Sequence, residues 1–383
     1  DEAGELTEAE IAAQGEALEA GVASPFASLG AGTPDAGMRV RVWPLDVHFP
    51  HLVRLADPDW AGRLLPDDGA PGAARVRVTS VRYRPRQRHV LRYDVADGRF
   101  GGSVFAKLYR PGDASRARRV EEALARRLEG GGPGVVAAVS LPGTAADDVL
   151  LYPRVPGRPL SARLWRGRPE AHLAGAGALL RLLHDGGSHA DGTWAGDLVR
   201  HDVGAELRSI ERAAEHLVPL LPTAAARVAR VLDEAAALAG RLPAEEPGFA
   251  HGDFKSDHLW VAGDQLTLLD FDTCCVAEPG LDLGKFLADL SYWFALAERA
   301  GVGPAQRAFL EGYGHLSAER LARARLYEAV VLTKLAIRRL RRFDAHWERR
   351  TEALTSRAES LLAAAAVGAA RRAATAPGAG APA

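Results

Sequence analysis

Residues 251–258 read HGDFKSDH, and LLDFD follows at 268–272. Between them lies one short hairpin signal: an apolar run at 259–261, a turn at Ala262-Gly263-Asp264, and a second run at 265–269. This strand–loop–strand unit constrains the chain more than any other segment. It places a charged loop before the first strand and lets Asp270 end the second, so two carboxylates, Asp253 and Asp270, are carried on one rigid element.

The rest of the sequence divides by periodicity. Residues 1–37 are acidic at the start and then Gly/Ala/Pro-rich; a helix over residues 5–20 and a linker over 21–37 are expected. Residues 76–83, 89–95 and 103–109 are β-like, with Arg84-Pro85-Arg86-Gln87-Arg88 between the first two. Residues 113–129 carry Val120, Leu124 and Leu128 at helical spacing and stop at Gly130-Gly131-Gly132. Two more strands are expected at 135–140 and 149–152. After Gly157 helical patterns dominate, at 170–185, 203–217, 223–240 and from 284 to about 366, and residues 367–383 read as a disordered tail.

Composition narrows the function classes. A formal net charge of −1 offers no overall basic field for nucleic acid or anionic membrane. Apolar stretches are broken by Arg, Asp or Gly well short of membrane-spanning length, and no signal-peptide pattern opens the chain. It begins with Asp1 rather than Met, which suggests a trimmed start. Cys274 and Cys275 are the only cysteines; adjacent cysteines rarely bridge, so a reducing, cytoplasmic setting is expected. Of 48 Lys plus Arg residues only four are lysine: Lys107, Lys255, Lys285 and Lys334. In so Arg-biased a chain a retained lysine points to a need for its compact charge.

The HGDFKSDH octet and the LLDFD run resemble the catalytic loop and metal-binding strand end of the protein-kinase-like fold. The opening HGD, in place of HRD, resembles the aminoglycoside phosphotransferase and choline kinase branch. The resemblance spans roughly residues 75–290. It implies a bilobal α+β fold, with a small five-stranded antiparallel N-lobe bearing one main helix and a mostly helical C-lobe. The corresponding division is 1–37 as an N-terminal segment, 38–154 as the nucleotide-binding N-lobe, 155–366 as the catalytic C-lobe and 367–383 as the tail.

The same resemblance implies roles. Asp253 would accept the acceptor's hydroxyl proton, and Lys255 would meet the γ-phosphate. Asp270 would bind Mg²⁺, with Asp272 either a second ligand or a cap on the following turn. His258 stands where the family normally has Asn. Imidazole suits Mn²⁺ better than Mg²⁺, so His258 is a metal ligand, a hydrogen-bonding partner of Asp253 or phosphate, or the mark of a degenerate site. Asp282 would brace the catalytic loop, with His251 as its structural opening residue. Lys107 would pair the α- and β-phosphates and take an acid from the next helix; Glu121 shares the Leu124/Leu128 face, whereas Glu122 sides with Arg126. Tyr83 to Arg88 resembles a Pro- and Arg-bearing nucleotide roof in which Arg84 and Arg88 cover phosphates; an ordinary exposed hairpin tip fits equally. Leu151 to Gly157 resembles the hinge, where the Pro153 carbonyl and Val155 amide would meet adenine. His184, at a helix end, reads as a capping or packing residue.

The function so implied is transfer of the ATP γ-phosphate to a hydroxyl of a small molecule: an antibiotic, a sugar or a related metabolite. No nucleic acid, no membrane and a monomer or weak dimer are expected. A protein kinase is disfavoured, since no activation loop fits between Asp272 and Asp282. A pseudokinase-like regulatory or scaffold module is the rival, on His258 and the glycine-free roof.

Overall fold

The computed structural model describes residues 8–33, 38–66, 74–129, 134–142, 148–166, 168–185, 198–338 and 345–375. Two compact units make up the chain, residues 1–125 with 138–155 and residues 126–137 with 156–383. In chain order the first elements are α1 (Glu8–Glu19), β1 (Gly30–Thr33), β2 (Met38–Arg41), α2 (Leu52–Ala56), α3 (Pro58–Leu64) and β3 (Val76–Arg84). Next come β4 (Arg88–Val95), β5 (Ser103–Leu108), α4 (Asp113–Glu129), β6 (Val135–Ala137), β7 (Val149–Pro153) and β8 (Arg158–Pro159). After these lie α5 (Pro169–Asp185), β9 (Val199–Arg200), α6 (Val203–Ala214), α7 (Pro222–Arg241), β10 (Gly248–Ala250), β11 (Leu259–Ala262) and β12 (Gln265–Leu268). The last are β13 (Cys275–Ala277), α8 (Gly280–Leu296), α9 (Gly303–Tyr313), α10 (Ala318–Arg338) and α11 (Trp347–Thr375).

The first unit is built on an antiparallel sheet in the order β3-β4-β5-β7. β4 alternates strictly, burying His89, Leu91, Tyr93 and Val95 on one face, as a half-buried strand must. Ala114, Ala117, Val120, Glu121, Leu124 and Leu128 form the buried stripe of α4. Their three- and four-residue spacing is what the sequence pattern predicts for a helix laid against a core.

Three expectations are corrected here. Among the described residues the N-lobe sheet has four strands, not five: the run expected at 135–140, shortened to Val135–Ala137, belongs to the second unit and pairs there in parallel with Leu266–Leu268. Three apolar residues carry too little alternation to specify which sheet they join. Residues 21–33, read as linker, bury Ala23 and Leu29 in a small core with Ala13, Ala17, Leu45 and Val53. Two apolar residues spaced irregularly among Gly and Ser leave no period to read. The tail is also shorter than expected. α11 runs through Thr375, because the run from Leu361 to Ala374 is rich in alanine, the strongest helix former.

In the second unit α8 and α10 pack along their lengths, and α8 is buried almost all round from Gly280 to Tyr292. Two small sheets, β6-β12-β11-β8 and β10-β13-β9, hold the segments that carry the site. No helix among the described residues is long and apolar enough to cross a membrane.

Candidate active site

The HGDFKSDH loop leaves β10 and is pinned along most of its length. His251 gives its backbone N–H to Asp282 Oδ2 at 2.6 Å, and Gly252 gives its own to Asp282 Oδ1 at 2.9 Å. Asp282 is wholly buried on the first turn of α8. Its carboxyl lies below the usual range because bonds from His184 and the loop amides outweigh the opposing effect of burial. The His251 ring closes the turn from inside: Nε2 donates to the Leu269 carbonyl at 3.1 Å, and Nδ1 accepts the Asp253 N–H at 3.3 Å. Gly252 has φ +75°, and a Cβ there would stand 2.0 Å from the Thr273 carbonyl oxygen, so only glycine fits. Phe254, fully buried, anchors the loop against Phe286 at 5.4 Å between ring centroids. Further along, Asp289 Oδ2 accepts from the Ser256 N–H at 2.9 Å and from its hydroxyl, and Asp257 accepts from the Ser161 hydroxyl at 2.5 Å.

This bracing presents Asp253. Lys255 Nζ lies 2.6 Å from its Oδ2. Burial would raise the Asp253 carboxyl, but Lys255, then His258 and Lys285, hold it below the ordinary carboxylate range. His258 Nδ1 sits 3.1 Å from the Asp253 backbone carbonyl, which can only accept, so Nδ1 carries the proton. The other nitrogen, Nε2, is 3.3 Å from Asp270 Oδ2. Burial and then the Lys255 charge push this imidazole down to about 4, so it is neutral at physiological pH. A lone pair on nitrogen therefore faces a carboxylate oxygen. Asp270 itself has φ 66°, the left-handed region that Asp tolerates better than most residues.

That donor pair fits a divalent cation, with one nitrogen and one or more oxygens converging. Asp272 is half-buried in the turn after Asp270, and among the described residues no group of three or more His, Cys, Asp or Glu comes together as a metal site. Cys274 and Cys275 are free, buried thiols beside this turn. Burial, with Asp282 next, pushes Cys275 up to about 12 and Cys274 well above the ordinary value, so neither is a nucleophile.

In the first unit Lys107 lies on β5, its Nζ 5.4 Å from the Tyr109 ring centroid. Glu121 is buried on α4, 2 % exposed, while Glu122 faces solvent. Glu121 accepts from the Tyr152 hydroxyl and, at 3.1 Å, from the Ser140 N–H. Burial raises its carboxyl above the usual range against the pull of Tyr152, Ser140 and Lys107. Arg84 is exposed and Arg88 half-buried at the β3–β4 hairpin. Its tip contains no glycine, yet Arg86 takes φ 62°, its N–H given to Asp46 Oδ2 at 2.7 Å. Pro153 ends the edge strand β7 opposite Val104, a position where a missing N–H costs no ladder bond, and Val155 follows half-buried.

Sequence reasoning named Asp282 and His251 but missed other supports. His184, read as a capping or packing residue, packs against Tyr313 at 5.7 Å between ring centroids, with Nδ1 2.9 Å from the Tyr313 hydroxyl and Nε2 3.5 Å from Asp282. Lys285 donates to the Gly252 carbonyl, and Asp46 holds the hairpin tip. Only the scarcity of lysine pointed to Lys285; no local signal marked the others.

Among solved structures the fold is similar to a spectinomycin phosphotransferase solved with ADP and spectinomycin (TM-score 0.51, 13 % identity, 76 % of this chain and 92 % of that one). It is equally similar to a choline/ethanolamine kinase family protein from Mesorhizobium loti (0.51, 15 %, 79 % and 94 %). A third is APH(2″)-IIIa with GDP and kanamycin (0.51, 15 %, 76 % and 95 %). At such identities the likeness establishes the fold, the bilobal α+β architecture of kinase-like phosphotransferases. No curated protein matches the chain. The sequence itself matches a family profile over residues 81–327, and by that match the chain belongs to the phosphotransferase enzyme family.

Proposed function

We propose that this phosphotransferase moves the γ-phosphate of ATP to a hydroxyl group of a small molecule. The observation that carries the reading is the braced Asp253 carboxylate, with Lys255 at 2.6 Å and the His258–Asp270 pair beside it. Asp253 accepts the hydroxyl hydrogen bond and orients the attacking oxygen. Held below the ordinary carboxylate range, it is a weak base, so it positions the hydroxyl first and takes its proton as the P–O bond forms. The β–γ bridging oxygen leaves with ADP. Lys255 transfers its attention from Asp253 to the γ-phosphate when nucleotide is present, and Lys107, with Glu121, holds the α- and β-phosphates. His258 and Asp270 would hold a divalent cation, Mg²⁺ or Mn²⁺, which when bound would supply positive charge against that of the phosphates.

The test is ADP release, followed across neutral, cationic and anionic alcohols with Mg²⁺ or Mn²⁺, for wild type and Asp253→Asn. The substitution is expected to lower kcat about 10²–10⁴-fold with ADP affinity nearly unchanged. Near-native turnover in the variant removes Asp253 from the mechanism. Nucleotide binding without turnover by a folded wild-type protein, across the whole panel, favours a regulatory nucleotide-binding module instead.

A further inference from the structure

The β3–β4 tip has the backbone of a glycine turn without the glycine. The Gln87 N–H closes it on the Arg84 carbonyl at 3.0 Å, so Pro85 and Arg86 are its central residues. A positive φ directly after the proline is where such a turn asks for Gly or Asn, yet Arg86 holds φ 62°. An arginine stays in that region only where its surroundings over-determine it.

Those surroundings come from ahead of the family match, which begins at residue 81. Asp46 is 4 % exposed and spends both oxygens. Oδ2 takes the Arg86 N–H at 2.7 Å and lies 2.9 Å from His89 Nε2, while Oδ1 takes the His48 N–H at 2.9 Å. Burial would raise this carboxyl, but His89 and then the Arg86 and His48 amides hold it below the ordinary carboxylate range. An ionised carboxylate only accepts, so Nε2 carries the His89 proton. The His89 ring is buried, stacked on Tyr83 at 4.9 Å and edge-on to Phe49 at 4.8 Å between centroids. Its Nδ1 meets no hydrogen-bond partner among the described residues. A position filled for packing alone would not carry an unmatched nitrogen, so the ring serves Asp46. Arg86 Nε donates to His48 Nε2 at 3.1 Å, and Arg110 donates to the Arg86 carbonyl at 3.2 Å.

The same segment continues behind the sheet, where Phe49, Leu52 and Leu55 share a core with Leu91 and Tyr93. The other face carries charge. The pairings Arg84 with Arg88, Arg82 with Val90 and Val90 with Lys107 put Arg82, Arg84, Arg88 and Lys107 on one side of the sheet. The shape of the tip therefore sets where Arg84 and Arg88 stand relative to Lys107.

We infer that Asp46, oriented by His89, is a positioning residue for the nucleotide: it fixes the glycine-free tip so that Arg84 and Arg88 meet the phosphates held by Lys107. This deepens the phosphotransferase reading and rests on it, since residues 83–88 are taken as the nucleotide roof.

The experiment uses the full chain as wild type, Asp46→Ala, His89→Phe, Arg86→Gly and Asp46→Ala/Arg86→Gly. Calorimetry reads ADP affinity, amide hydrogen exchange reads the tip without nucleotide, and thermal melting reads folding. Loss of a hydrogen bond to a charged group corresponds to roughly 10–100-fold, so Asp46→Ala is expected to weaken ADP binding about tenfold. Exchange at residues 84–88 should quicken while the middle of β4 and β5 stays protected; a general loss of stability would quicken both. Glycine takes a positive φ without help, so in the Arg86→Gly background Asp46→Ala should cost no more than about threefold. His89→Phe fills the ring's space without its N–H and should weaken ADP binding in the same direction; it carries the test if Asp46→Ala does not fold. Unchanged ADP affinity in His89→Phe and in any folded Asp46→Ala overturns the inference. So does an equal loss from Asp46→Ala in both backgrounds. A folded wild type that binds no ADP sinks the phosphotransferase reading as well, whereas normal ADP binding unmoved by these variants sinks the role of Asp46 alone.

Discussion

His258 gives one nitrogen's proton to a backbone carbonyl, and that single bond decides what the other nitrogen can do. A neutral ring fixed in this tautomer turns a lone pair on Asp270, where the family's usual Asn would offer an oxygen. His258→Asn is therefore expected to keep measurable turnover and to shift preference from Mn²⁺ towards Mg²⁺. Titration with each metal at fixed ATP checks this; identical Mn²⁺/Mg²⁺ activity ratios in wild type and variant would show that the imidazole does not ligate. At this scale the sequence was informative wherever function is local. Asp253, Lys255 and His258 lie within six residues, so their spacing alone placed them on one loop. The residues that hold the loop still lie 30 to 33 positions from the groups they grip, and His184 meets Asp282 across 98; nothing in an isolated Asp289 or His184 announces a partner so distant.

At the scale of elements, the buried stripe of α4 carries Glu121, on which the Lys107 charge acts. Glu121 sits on that stripe with Tyr152 and Ser140 as donors, whereas Glu122 is exposed. Lys107→Ala and Glu121→Ala are each expected to raise KM for ATP. Their double mutant should fall short of the product by at least about 0.5 kcal/mol of coupling, measured from kcat/KM. Glu122→Ala should show no coupling; if it couples and Glu121→Ala does not, the two acids have exchanged roles. Helical periodicity made this face readable in advance, since Leu124 and Leu128 mark it. Strand partnership was less readable. β6 has the composition of an N-lobe strand but satisfies its backbone on β12, a choice made by backbone neighbours rather than by its own three side chains. The β3–β4 tip shows the same limit: its conformation is held by Asp46, about forty residues earlier, in place of the glycines a sequence reader looks for.

For the whole molecule, buried carboxylates tie stability to acidity, and their signs differ. Asp282 and Glu206 lie below the ordinary carboxyl range, so the stability they add is complete above about pH 4 and is lost as pH falls through their folded values. Glu121, raised by burial, works oppositely and favours the folded state more as pH falls. Asp46 and Asp253 are lowered as well, so the lowered carboxyls outnumber Glu121; the urea midpoint is expected to drop below about pH 4, and Glu206→Gln should flatten that drop, while an unchanged acid slope in the variant would show that Glu206 contributes none of it. The kinase-like plan was legible in the HGD and DFD runs and in the shift from period 2 to period 3.6. The small N-terminal core and the reach of α11 were not, because Gly/Ala-rich sequence encodes them by propensity and shape rather than by apolar rhythm. The two thiols beside Asp270 add something of a different kind. Alkylating reagents need a thiolate and physical access, and the closed protein denies both. Each sulfur thus reacts only during moments when its strand lifts away, and the pace of labelling counts those openings. The chain carries its own clock for how often the turn after Asp270 comes apart, with no added probe and no change of sequence.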